Sequence, residues 1–411
     1  MQQQAYQRFP TKTYDLFQKY ALWIPALLFI CTYILVYLKW EINISSGDAK
    51  AYIDGARRLL ADIPLVDGRS KRSIGYELII ALNYWLKFGN TGVIISQVII
   101  NALATVAIYD LGRRLSGKAT GILAASFYVA NPDVVQWTFI MMTESIFTAG
   151  LILSCWAFYR IQMNPNSIWK LTLVAILWVY AAVIRANGWF MLPLFGMFLI
   201  IDLLNKRSFK LATYFFFILT LLGAFAIWGP FFVGVAQDNP ARLTLGALAN
   251  YYNFLINGVV ISHSGAVMNH SIDTFIQMPI ADIQAEPGLV SYLSYCLKHP
   301  YDSINLFLHR IFYATVYSRP DYSTMHNLII NSGIPLIYLF AFIGIIKKKR
   351  EPVTRLILFI VVVQLLIISV TVVLYDIRFW VYVFPLITMY SAIGVIASIK
   401  LLFHNIHYIY L

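Results

Sequence analysis

Residues Trp40–Phe88 read WEINISSGDAKAYIDGARRLLADIPLVDGRSKRSIGYELIIALNYWLKF, a polar and charged stretch between two long apolar segments. Within it, Ala49, Tyr52, Ile53, Ala56, Leu59 and Leu60 recur at the spacing of one helical face, and Lys50, Asp54, Arg57 and Arg58 occupy the other. That pattern predicts a basic amphipathic helix lying in a membrane interface. Asp48, preceded by Gly47, stands at its head, where an aspartate also serves as an N-cap. A further helix is expected to open at Gly75-Tyr76, in RSIGYELIIAL.

The flanking segments decide the class. The chain has 411 residues, 60% of them hydrophobic and only 12% charged, against about a quarter charged in soluble domains. Apolar runs long enough to cross a bilayer alternate with short basic turns, so the fold expected is an all-α polytopic membrane protein of about ten transmembrane helices. The spans fall near Ala21–Tyr37, Gly92–Leu111, Ala119–Ala130, Met142–Arg160, Trp169–Ile184, Trp189–Leu204, Leu211–Val233, Leu328–Ile346, Arg355–Leu374 and Phe379–Ile399. Arg113-Arg114, Lys206-Arg207 and Lys347–Arg350 mark inner turns, which places both termini in the cytoplasm. The whole chain, 1–411, reads as one domain, with a first outer loop at 40–90 and a second outer region at 234–327. Turn residues accumulate in that second region, around amphipathic helices at Leu289–Leu297 and Ser303–Val316.

Several classes are excluded. The formal charge of +12 is spread over turns between spans, with no basic domain, so nucleic acid is not an expected partner. Cys31, Cys155 and Cys296 are too widely spaced for a disulfide framework or thiolate cluster. His263, His270, His299, His309 and His326 form no metal-ligand pair on a helix. No repeat of 20–50 residues is present, and the N-terminus reads as a retained signal-anchor.

Chemistry concentrates on the outer face. Asp48 leads the first loop, and Glu144, in FIMMTESIFTAG, opens the fourth span, where a carboxylate also suits the helix dipole. Arg72, Arg185 after the fifth span and Arg378 in YDIRFW before the last lie on the same side. A lone arginine there snorkels to the interface; several beside two acids suggest a phosphate site, because the guanidinium fork matches phosphate oxygens. The first loop carries Lys50, Arg57, Arg58, Arg69, Lys71, Arg72 and Lys87 against the positive-inside bias. Phosphate handling accounts for that excess.

GDAKAY at Asp48, RSIGYELIIAL at Tyr76, MMTESIF at Glu144, VIRANGW at Arg185 and YDIRFWVYVFPL at Arg378, with the run QVIINALATVAIYDLGRRLSGKATGILAASFYVANP, resemble polytopic glycosyltransferases of the GT-C type. That class includes protein O-mannosyltransferases, aminoarabinose transferases of lipid A and their bacterial relatives. The resemblance implies a polyprenyl- or dolichyl-phosphate-linked donor of a hexose or pentose. The acceptor would be a lipid, glycan or protein hydroxyl at the outer face of a bacterial plasma membrane. It implies Asp48 as general base, with Glu144 supporting the site, by way of a divalent cation in some versions of the scheme. Arg72, Arg185 and Arg378, with Tyr76, would bind the donor phosphate. Two departures stand out: the second acid is glutamate rather than the commoner aspartate, and Asp48 has no adjacent second acid. Other classes that use such residues are a flippase or transporter of a lipid-linked or anionic substrate, and a polysaccharide polymerase or ligase. The ionisable residues gather at one face rather than the midplane, and no matching halves are seen, which favours transfer over transport.

Overall fold

The computed structural model describes residues 23–42, 47–63, 73–163, 168–205, 209–232, 252–262, 274–279, 289–315, 323–371, 373–374 and 378–409. Their helices follow the apolar runs. α1 (Trp23–Trp40) is followed by the amphipathic α2 (Gly47–Leu60) and by α3 (Ile74–Trp85). α4 (Gly89–Ser116) and α5 (Lys118–Val129) are separated by Gly117 alone. At φ +99° this glycine makes a reversal that a side chain would strain, and its N–H closes α4 on the Arg113 carbonyl at 2.8 Å. A short α6 (Pro132–Val135) and a 3₁₀ turn (Gln136–Thr138) lead to α7 (Glu144–Met163), α8 (Ile168–Ile184), α9 (Ala186–Asn205) and α10 (Phe209–Phe232). After them come α11 (Leu289–Lys298), α12 (Pro300–Thr315), α13 (Thr324–Lys348), α14 (Pro352–Val370) and α15 (Phe384–Ile409).

Among the described residues, five helical stretches are long and apolar enough to cross a membrane: Gly89–Ser116, Glu144–Met163, Asn327–Lys348, Pro352–Val370 and Phe384–Leu402. Shorter apolar stretches lie at Trp23–Lys39, Ile168–Ile184, Phe195–Asn205 and Leu211–Gly223. This is an integral membrane protein. The core is continuous, with α4 packed against α5, α7 and α15, α5 against α15, and α13 laid along α15. Without a hydrophobic drive between helices in lipid, close approach depends on small residues. Gly394 of α15 shows this: a Cβ there would collide with the Phe340 carbonyl oxygen of α13.

One part departs from the all-helical expectation. Strand β1 (Val259–Ser262) pairs antiparallel with β2 (Thr274–Phe275) and parallel with β3 (Val373–Leu374), in the order β2-β1-β3. The register sets Ile261 beside Val373 and Ser262 beside Leu374. The second loop region is thereby tied to the segment just ahead of Arg378. Arg310 of α12, fully buried, fastens this junction. Its Nε and Nη2 donate to the Val259 carbonyl at 2.9 and 2.8 Å, its Nη1 to Ser369 at 3.0 Å and its Nη2 to Phe254 at 3.1 Å. Burial lowers its pKa to about 10, so it still carries its proton at neutral pH.

Candidate active site

Three elements, together with Arg185 between α8 and α9, bring charge to one end of the bundle. The first is α2, whose buried face of Ala49, Tyr52, Ile53 and Ala56 packs inward and holds Asp48 in its first turn. The amphipathic spacing requires this, because the apolar stripe must leave water while the basic one stays out. The fully buried Glu77 of α3 stands directly against Gly55 of α2.

The second element is the segment from Asn131 to Glu144. Asn131 caps α6, accepting the Asp133 N–H at 3.0 Å, and Pro132 takes the first helical position, where no N–H is needed. From α4, the fully buried Gln97 donates to the carbonyls of Thr138 at 2.7 Å and Ile140 at 3.3 Å, while its own oxygen accepts the Tyr76 hydroxyl at 3.2 Å. One turn on, Asn101 donates to Ser145 Oγ at 2.6 Å and accepts from Tyr128 at 2.5 Å. A buried polar network satisfied in this way rigidifies what it touches, here the backbone ahead of Glu144 and the Ser145 side chain just after it.

The third is the turn at 378–383. Gln364 of α14 donates to the Phe379 carbonyl at 2.7 Å, and Trp380 Nε1 to the Tyr338 hydroxyl at 3.0 Å. These bonds, with the Val383 N–H on the Trp380 carbonyl at 3.2 Å, aim Arg378 into the bundle.

There the charges meet. Arg378 donates through Nη2 to Asp48 Oδ2 at 2.7 Å and through Nε to Glu144 Oε1. Arg185, between α8 and α9, reaches the same Glu144 oxygen with Nη1 at 2.9 Å and also bonds the Thr143 hydroxyl. Glu144 has no exposed surface and the two arginine side chains less than a tenth of theirs, whereas Asp48 keeps 21%. Burial alone would weaken the charge of Arg378, but Glu144 and Asp48 outweigh it and raise its pKa. Arg185 also faces the Tyr382 ring at 4.8 Å and the Phe379 ring at 5.5 Å, and Tyr382 packs edge-on against Phe147. A desolvated guanidinium over such rings gains about 2 kcal/mol.

Asp48, Glu144, Arg185 and Arg378 are thus within one set of contacts. Tyr76 lies behind them, fully buried, with its ring edge-on to Tyr52 at 5.4 Å. Burial, with Asp48 adding to it, raises the Tyr52 phenol above its ordinary pKa, which makes it a donor rather than a base. Arg72 lies outside the described residues. Sequence reasoning missed Tyr52, Thr143, Phe379 and Tyr382, although each sits inside a motif already singled out. Aromatics make up 16% of the chain and offer no contrast by type alone.

The donors do not suit a divalent cation. Two guanidiniums already hold one Glu144 oxygen, and among the described residues no three His, Cys, Asp or Glu side chains cluster as ligands.

Residues 71–232 match the sequence model of the dolichyl-phosphate-mannose-protein mannosyltransferase family. Over that span, well under half of the chain, its sequence is similar to that family. No curated protein matches the chain. The matched span runs from α3 to α10 and carries Tyr76, Glu144 and Arg185, with Arg72 at its start. Asp48 and Arg378 lie on either side of it and reach the site through the fold.

Proposed function

We propose that the protein is a glycosyltransferase that moves a sugar from a polyprenyl- or dolichyl-phosphate-linked donor to an acceptor hydroxyl at the outer membrane face. The observation that carries this reading is Arg378 joined to both Asp48 and Glu144, next to Arg185, in a chain whose residues 71–232 match a mannosyltransferase family model. Burying several charges is costly, and such clusters are poor devices for stability alone. Perturbed, buried charge at the end of a bundle is typical of catalytic sites.

In the proposed reaction, Asp48, the more accessible acid, accepts the proton of the acceptor hydroxyl. That oxygen attacks the anomeric carbon, and the bond between this carbon and the phosphate oxygen breaks. The leaving lipid phosphate takes up the electron pair, and Arg185 and Arg378 stabilise its developing charge. A guanidinium has five N–H donors, and the contacts above use only some of them. Glu144, fully buried between the arginines, fixes their forks before the donor arrives, which is how preorganised sites gain their largest electrostatic effect. Tyr52 and Tyr76 hold α2 at its distance from α4. We further propose ten spans with both termini cytoplasmic in a bacterial plasma membrane.

The test is reconstitution in vesicles with a radiolabelled polyprenyl-phosphate sugar. Transfer predicts that lipid phosphate appears as labelled sugar leaves the lipid. Movement of intact lipid-linked sugar across the bilayer, with none consumed, would make the protein a transporter instead.

A further inference from the structure

The far end of α7 carries a second charged cluster that the proposed reaction does not use. Asp110 of α4 accepts from Arg113 and Arg114, each at 2.8 Å, and from Trp156 Nε1 at 3.0 Å, and Arg160 Nη1 lies 3.6 Å away. Three guanidiniums therefore share one carboxylate. Their side chains are 30–45% exposed. Glu144 and Arg160 stand at opposite ends of α7, roughly 24 Å apart at 1.5 Å per residue, so this cluster lies at the other boundary of the membrane.

An apolar groove of about 400 Å³ adjoins it, walled by Pro25, Phe29 and Ile30 of α1, Val106 and Tyr109 of α4, and Ala125 of α5. Val106, Tyr109 and Arg113 follow one another along a single face of α4, and the Arg113 guanidinium stands 5.9 Å from the Tyr109 ring centroid. The groove thus runs up to the cation cluster, with Tyr109 at the join. Its walls remain open, since Ile30 and Val106 are more than half exposed.

We infer that this is a binding site for one anionic phospholipid of the leaflet opposite the catalytic end. One acyl chain lies along the groove and the phosphate rests on Arg113 and Arg160. The surplus of cation over carboxylate selects a net-negative headgroup over a zwitterionic one, and the open apolar walls suit an acyl chain. This site is independent of the proposed sugar transfer.

Native mass spectrometry tests it, on protein purified from vesicles of equimolar phosphatidylglycerol and phosphatidylcholine. The wild type should retain the anionic lipid about thirtyfold over the zwitterionic one, the order expected for two surplus basic residues at a membrane surface. Arg113→Gln/Arg160→Gln should bring the ratio near one, and Val106→Trp, at an exposed position that fills the groove, should lower total retention while the protein stays monodisperse. Lys347→Gln/Lys348→Gln, in the last turn of α13, should leave the preference intact. Equal retention of the two lipids by the wild type overturns the site. So does a loss in the α13 variant as large as that in the arginine variant, because the preference would then belong to diffuse basic charge at that end.

Discussion

At one end of α7, Glu144 is enclosed by two arginines, and a second acid, Asp48, joins them from outside the helix bundle's first span. At the other end, Arg160 and two further arginines share Asp110 in the open. Both clusters are built from carboxylates and guanidiniums at similar distances, so residue type and spacing do not separate them. Burial and balance do. The first matches two acids to two arginines with scarcely any exposed arginine surface, where interactions are strong and a missing partner is felt. The second leaves cation in excess at a wet surface, where each pair contributes little. The lesson is that charge near a membrane boundary points to chemistry when it is enclosed and matched, and to topology or lipid when it is exposed and unmatched.

Mutations sharpen this contrast. The largest expected effect is on Asp48→Asn, which removes the proposed base without changing size: transfer should fall about 10²–10⁴-fold, measured as label moved to the acceptor, with the protein still in the membrane. Next is Arg378→Met, which strips the shared partner from two carboxylates. Breaking a buried pair from one side costs about 3–5 kcal/mol, so the variant should lose both activity and thermal stability. Arg378→Lys, retaining charge without the fork, should recover stability more than activity.

Smaller in its effect on transfer, though not on stability, is Arg310→Met. It leaves the Val259, Ser369 and Phe254 carbonyls without their donor, at about 1–3 kcal/mol for each group left unsatisfied. Activity should drop with stability, because β3 and the Arg378 turn share that junction. The smallest effect is expected at the exposed end, where Arg114→Gln should change stability by less than about 1 kcal/mol and leave transfer unchanged. A large loss there would erase the distinction between the two ends.

Much of the fold was legible in the sequence because apolar runs bounded by basic turns leave little freedom. The expected Gly92–Leu111, Trp169–Ile184 and Leu328–Ile346 lie inside α4, α8 and α13, and the amphipathic spacing after Asp48 became α2. The three-stranded sheet was not legible. Its strands are two to four residues long, below the length at which alternation shows, and β1 pairs with β3 far along the chain. The site residues stood out by type, as charges in an apolar chain. Their partnerships did not, because nothing local says that Arg378 bonds Glu144 across 234 positions and Asp48 across 330. Arg310 passed unnoticed for a related reason: a cation in an amphipathic helix reads as solvent-facing, and only the fold turns it inward onto backbone carbonyls.

The most direct test of catalysis by the enclosed cluster is to compare Asp48→Asn with Asp110→Asn in the same vesicles, following lipid phosphate released from a polyprenyl-phosphate sugar. Asp48→Asn is expected to lose at least about a hundredfold, with Asp110→Asn staying near the wild-type rate. Wild-type turnover by Asp48→Asn, or an equal loss in both variants, would contradict the assignment of the chemistry to that end of the molecule.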